Sequence, residues 1–243
     1  MTVQLFCVPH AGGTASVFRR WIGDFAPEIE VLPLELAGRG TRSALPLPDT
    51  VPQAVTDLLE QLRPRRDDRP YVLLGHCMGA VLAFELARRT SAMGWQPPLL
   101  LVVSGRNPPH QQTQWGLQVA ALPDEQLFAE LKAVGGVPPG LSRAMAGAFL
   151  PVLRADQRMI HRYRVAGPLP RLDMPVLVLA GSDDFMTSPA ELAGWGDYTT
   201  AGVVTEILDG AHYFIYEHAL AVRKLILAHL PATRARRGGR ASE

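Results

Sequence analysis

Five residues, Gly75-His76-Cys77-Met78-Gly79, set a thiol between two glycines. The apolar run YVLL precedes them and AVLAFELARR follows, so the thiol falls where a strand turns straight into a helix. The pattern G-x-nucleophile-x-G requires small flanking residues, because a side chain at either glycine would clash in so sharp a turn. The turn lifts the sulfur above the sheet at a helix N-terminus, where partial positive charge favours a thiolate. A buried structural cysteine is the competing interpretation. A thiol nucleophile needs a base, and the base needs an orienting group. Downstream, VLVLAGSDDFMTS ends a strand in a turn with two aspartates. The spacing Gly-x-x-Asp selects Asp184, with Asp183 as the alternative; capping of the next helix would also explain the pair. ILDGAHYF then ends the last strand and puts His212 in a loop at the same sheet edge. Gly210 and Ala211 leave room for its imidazole to reach the thiol. His218 and His229 fall on a terminal helix, His161 in a helical insertion and His110 in a proline-rich loop, so they are poorer bases.

An acyl-transfer site also needs two backbone N–H donors for the oxyanion. Met78, just after the nucleophile, supplies one. The loop PHAGGTAS after the first strand supplies the other, since its glycines let backbone approach a ligand. Position favours Ala11, with Gly12 as the alternative. His10 either shapes this loop or is a hydrogen-bonded structural histidine.

Positioning these groups takes a sheet. VQLFCVP (Val3 to Pro9), IEVLPLEL (Ile29 to Leu36), YVLLG, LLLVVSG (Leu99 to Gly105), PVLVLAGSDD (Pro175 to Asp184) and VVTEILDGAH (Val203 to His212) read as strands. Pro33 weakens the second or places it near an edge. The runs are continuously apolar, as in strands covered on both faces. Helices are expected over 50–63, with Thr50 as cap, over Met78 to Met93, and over about Glu217 to Leu230. Alternation of strands and helices implies a parallel sheet with right-handed crossovers. Residues 110–168 hold no strand and read as short helices, a lid over the sheet edge or a plain helical subdomain. The tail 231–243, ATRARRGGRASE after its first proline, is basic and without an apolar anchor; it is expected to be disordered.

The 243 residues include 47% apolar side chains, enough for a large core. A net charge of +1 argues against nucleic acid as the main partner. The two cysteines, Cys7 and Cys77, give no disulfide framework. No apolar run reaches the length of a membrane helix, and MTVQLFCVPH shows no signal-peptide pattern. A cytoplasmic protein is the expectation. No ligand cluster, P-loop or dinucleotide fingerprint calls for a metal or cofactor.

LFCVPHAGGTAS, LELAGRGTR, YVLLGHCMGAVLAFELARR, VSGRNPPH, LPVLRADQRMIHRYR and GAHYF together resemble the type II thioesterases, the free-standing editing hydrolases of polyketide and nonribosomal peptide assembly lines. The resemblance runs from about residue 3 to 230, in the family's motif order. It implies one α/β-hydrolase domain over 1–230 with a helical lid. It implies substrates held as thioesters on the phosphopantetheine arms of acyl or peptidyl carrier proteins, the arm arriving with the substrate. Three departures stand out. Ala37 replaces the usual proline before Gly-Arg-Gly, Phe185 replaces the proline after Asp-Asp, and Cys77 replaces the usual serine. Arg39 and Arg42, after the second strand, are candidates to meet the pantetheine phosphate, with salt bridging or plain solvation as the other reading. The expected triad is Cys77, His212 and Asp184. Cysteine attack on a thioester yields another thioester, still activated. Hydrolysis, transfer to a non-water nucleophile, a substituted serine, and an inactive carrier-binding module are the readings this leaves.

Overall fold

A computed structural model describes residues 2–137, 146–165 and 171–231. The expected tail from residue 232 on, and parts of the insertion at 138–145 and 166–168, lie outside the described residues. The chain begins with β1 (Val3–Val8), a short α1 (Trp21–Asp24), β2 (Ile29–Pro33) and α2 (Val51–Arg65). There follow β3 (Tyr71–His76), α3 (Met78–Ala92) and β4 (Leu100–Ser104). The insertion forms α4 (Gln114–Ala120), α5 (Asp124–Ala133) and α6 (Ala146–Arg162). The chain then returns through β5 (Val176–Gly181), α7 (Pro189–Leu192), β6 (Val203–Leu208), α8 (Phe214–Glu217) and α9 (Ala219–His229).

The strands form a six-stranded sheet in the order β2-β1-β3-β4-β5-β6, every described pair parallel. β1, β3, β4 and most of β5 are buried, which explains their unbroken apolar runs. β2 is shorter than the apolar run suggests: it ends at Pro33, on an edge of the sheet, where a missing N–H costs no ladder bond. β6 corrects the expectation of strands covered on both faces. It is the other edge, and Val204 and Ile207 are 44% and 57% exposed. α2 starts where expected. The Thr50 side chain accepts from the Gln53 N–H while the Gln53 side chain accepts from the Thr50 N–H, a reciprocal capping box.

Each face of the sheet carries its own core. Phe6, Leu73 and Val103 face α2 and α3; Leu5, Val72 and Leu177 face α1, α8 and α9. The insertion has a small core of its own, with Leu127, Leu131, Leu150 and Leu153 packed together. It covers the strands' C-terminal ends, where the loops carrying Ala11, Cys77, Arg106 and His212 meet. No described helix is long and apolar enough to cross a membrane.

Candidate active site

The turn from β3 to α3 shows why glycines flank Cys77. A Cβ on Gly75 would lie 1.9 Å from the Gly79 carbonyl oxygen, and one on Gly79 would lie 2.2 Å from the Val8 oxygen. Both obstacles are backbone, so neither can step aside. Cys77 itself has φ 55° and ψ −118°, a left-handed conformation rare for any residue with a Cβ. The Cys77 N–H donates to the Ser104 carbonyl at 2.8 Å, which pins the bend to β4. Strain stored in a fixed bend at a cleft is characteristic of functional positions.

His212 is brought alongside. Its ring is buried, and Nδ1 lies 2.9 Å from Asp184 Oδ2. The second Asp184 oxygen accepts from the Met186 N–H at 3.0 Å, so both oxygens are fixed. Asp183 is exposed and bonds Ser182 instead. Nε2, at the other end of the ring, is buried and makes no hydrogen bond to another described residue; Cys77 borders the same cavity and acts on the ring electrostatically. Burial by itself pulls His212 down, but attraction from Cys77, the Asp184 hydrogen bond and the thiol contact outweigh it and raise the imidazole to about 10. Burial pushes the Cys77 thiol up; the nearness of His212, Arg106 and the Met78 amide together outweigh it and leave the thiol lowered from its usual value. The two shifts point the same way: each group favours the charged form of the other.

The other histidines are separated by the same environment. His10 shares a 2.8 Å hydrogen bond with the Tyr216 hydroxyl and is driven down to about 3 by burial, His212 and Arg39. His76, with Nδ1 3.1 Å from Ser104 Oγ, is held well below its usual value by burial and by the same two histidines. His110 pairs with Tyr198, while His161 lines the cavity. His218 sits at the start of α9, and His229 lies 3.4 Å from Glu206.

Ala11 and Met78 both border the cavity next to Cys77. Met78 is the first residue of α3, whose N–H groups have no partner within the helix. The Gly12 N–H is already given to Asp156 Oδ2 at 2.7 Å, which leaves Ala11 as the loop's available amide. Asp156, on α6, is fully buried and also grips Arg39 through both oxygens at 2.5 and 2.7 Å. Arg39 is therefore spent in a buried ion pair and does not face a phosphate. Arg42 is bonded to Asp57 in the same bidentate way. His76, Arg106, Asp156, Tyr213 and Tyr216 belong to this neighbourhood and were not singled out from sequence. Arg106 and Asp156 fall in VSGRNPPH and LPVLRADQRMIHRYR, motifs that carried the signal only as part of a resemblance.

A parallel sheet, a strained bend at the end of its third strand and an imidazole–carboxylate pair from the last two strand ends together define an α/β-hydrolase-type fold. The thioesterase domain family matches residues 3–230, and the chain belongs to that family. It is 38% identical over 237 residues to a probable cadicidin biosynthesis thioesterase of Streptomyces griseus, covering 96% of this chain and 64% of that one. It is 35% identical over 219 residues to the gramicidin S biosynthesis protein GrsT of Aneurinibacillus migulanus, covering 88% and 84%. The chain thus spans a little under two thirds of the first relative and most of the second. Among solved structures, the type II thioesterase BorB from the borrelidin biosynthetic cluster superposes with a TM-score of 0.84 at 35% identity, over 95% of this chain and 94% of that one.

Proposed function

We propose that this protein hydrolyses acyl thioesters presented on the phosphopantetheine arms of carrier proteins in a polyketide or nonribosomal peptide assembly line. The observation that carries the reading is the cavity that brings together Cys77, on its strained bend, and His212, held by Asp184. Family membership and relatives named for gramicidin S and borrelidin pathways support the substrate class.

The Cys77 thiolate attacks the thioester carbonyl, and a new C–S bond forms as the carbonyl π pair moves onto oxygen. The Met78 and Ala11 amides hold that oxyanion. On collapse the bond to the pantetheine sulfur breaks, and the imidazolium of His212 protonates the leaving thiolate. Neutral His212 then takes a proton from water, whose oxygen attacks the acyl-enzyme; the acid departs and the Cys77–His212 ion pair is restored. Asp184 keeps Nδ1 protonated and the ring aimed throughout. No redox step or metal enters this scheme.

The test is release of free acid from acyl-pantetheine or acyl-carrier thioesters, followed by mass spectrometry. Catalytic release that falls by about 100-fold or more in His212→Ala supports the reading. Equal rates in the two proteins would sink the base assignment. A stable Cys77 adduct, released by an added amine and not by water, would mean transfer instead of hydrolysis.

A further inference from the structure

Among the described residues, one arginine bordering the cavity has no carboxylate partner. Arg106 follows Gly105 at the end of β4 and is 5% exposed. The backbone around it is rigid. The Gly105 N–H donates to the Leu179 carbonyl at 3.0 Å, and the Arg106 carbonyl accepts from the Trp195 indole N–H at 2.9 Å. Gly105 has φ +56°, and a Cβ there would lie 2.8 Å from a carbon of the His76 ring, so this strand end admits no other residue easily. Among the described residues no carboxylate or carbonyl accepts a hydrogen bond from the Arg106 guanidinium, and its Nε is buried without a partner. Arg39, the other buried arginine of the site, shows how this fold ordinarily satisfies such a charge: with a bidentate aspartate. A buried, unpaired guanidinium is costly to keep.

Arg106 borders the same cavity as Cys77 and lies within electrostatic reach of both Cys77 and His161. His161 comes from α6 and is kept neutral by burial, Arg106 and Arg164, so its ring can donate a hydrogen bond without adding charge. Gln157, one turn earlier on α6, also borders the cavity, and its side-chain oxygen is buried without a partner. The remaining lining is largely apolar, with Trp115, Leu131, Leu153 and Ile160. Such walls strengthen any charge pair formed inside. The cavity measures about 50 Å3, room for about three to five water-sized groups. A short acyl unit fills it. The pantetheine phosphate lies at the far end of its arm from the thioester, so it is not the anion expected beside Cys77.

We propose that Arg106, with His161 beside it, forms an anion-binding subsite that selects short acyl thioesters ending in a carboxylate, that is, dicarboxylic acids joined through one end. The inference rests on the thioesterase reading and narrows its substrate class. The planar guanidinium offers a carboxylate two parallel N–H donors, and the acyl chain spans the gap from there to the sulfur.

Two measurements test it. The first compares kcat/KM for malonyl- and propionyl-pantetheine thioesters, each normalised to its uncatalysed hydroxide rate, in wild type, Arg106→Gln and Arg106→Lys. Wild type is expected to prefer malonyl by about 10- to 100-fold, mainly through KM. The glutamine variant loses the preference, and the lysine variant keeps part of it. The wild-type comparison needs no variant to fold. The second measurement does not depend on turnover: Cys77→Ala protein is titrated calorimetrically with monomethyl malonate and with methyl propionate. Tighter binding of the carboxylate, lost in Cys77→Ala/Arg106→Gln, supports the subsite. Equal binding overturns it. Turnover of neither thioester would sink the thioesterase reading while the titration still decides on the subsite. If Arg106→Gln slows both substrates equally and moves the acid limb of the rate profile upward, Arg106 serves the Cys77 thiolate and the subsite is refuted.

Discussion

Replacing Asp156 by alanine should loosen the insertion and disable the oxyanion loop together. Asp156 joins three parts of the molecule: α6, which carries it, Arg39 after β2, and the Gly12 N–H after β1. Its side chain and that of Arg39 are 1% and 2% exposed, so the pair is fully out of water. Removing one partner of a buried pair leaves the other charge uncompensated, at a cost of about 3–5 kcal/mol. At about 2–4 °C per kcal/mol for a chain of this size, the melting temperature should fall by about 6–20 °C. Arg39→Met/Asp156→Leu removes both charges and should be far less costly than the sum of the single changes, with a coupling of about 2–3 kcal/mol in a double-mutant cycle. Activity separates the roles further. Asp156→Asn keeps an acceptor for the Gly12 N–H, whereas Asp156→Ala releases it and lets the neighbouring Ala11 amide drift. If Ala11 holds the oxyanion, kcat should fall by up to about 100- to 1000-fold in the alanine variant and by less in the asparagine variant. Hydrogen exchange should show faster exchange in residues 9–14 and along α6. Additive single changes within about 0.5 kcal/mol, or unaltered exchange in the loop, would refute the latch.

Alkylation of Cys77 by iodoacetamide should report the ion pair. The thiol is lowered from 9.0, so the rate should hold its plateau below pH 9 and fall only as the thiolate is protonated. His212→Ala removes the main attraction and should move that inflection upward; an unmoved inflection would contradict the pairing. Hydrolysis should also decline on the alkaline side near pH 10, as His212 loses the proton it gives to the leaving thiol. Gly75→Ala should yield little or no folded protein, a loss of about 4 kcal/mol or more, because its Cβ meets immovable backbone at 1.9 Å. Near-native melting of that variant would show that the bend relaxes.

The residues that announced themselves in the sequence share a property: their chemistry is local. Gly75 and Gly79 are required by contacts within one turn or with the adjacent strand, and the Thr50–Gln53 capping box spans four residues. The parallel pairing of the sheet followed from alternation of apolar runs and helices, but its strand order did not. What stayed hidden is relational. Nothing local tells Arg39, bonded across the chain to Asp156, from Arg42, bonded to Asp57, or either from Arg106, which has no such partner. All three sit after strands in glycine-containing loops. Likewise VVTEIL reads as a buried strand until the sheet order makes it an edge.

The thiol fits the electrostatics around it. Four ionisable rings, His10, His76, Tyr213 and Tyr216, cluster about His212, and burial holds the two histidines neutral and both tyrosines protonated. Of these three histidines His212 alone is pushed up, and the largest cause of the rise is the Cys77 sulfur. An alcohol in the same place would remove that contribution, since it does not ionise at neutral pH and gives the ring no anion to face. The histidine would then rest neutral and act as a base from the start. In the mechanism we propose, sulfur shifts the resting pair toward its charged form, and the first task of His212 is to protonate the leaving group. Arg106, which has no carboxylate partner among the described residues, strengthens the same polarity, since it also helps to lower the Cys77 thiol. On the two proposals together, the site holds a negative sulfur and admits a second negative group at Arg106.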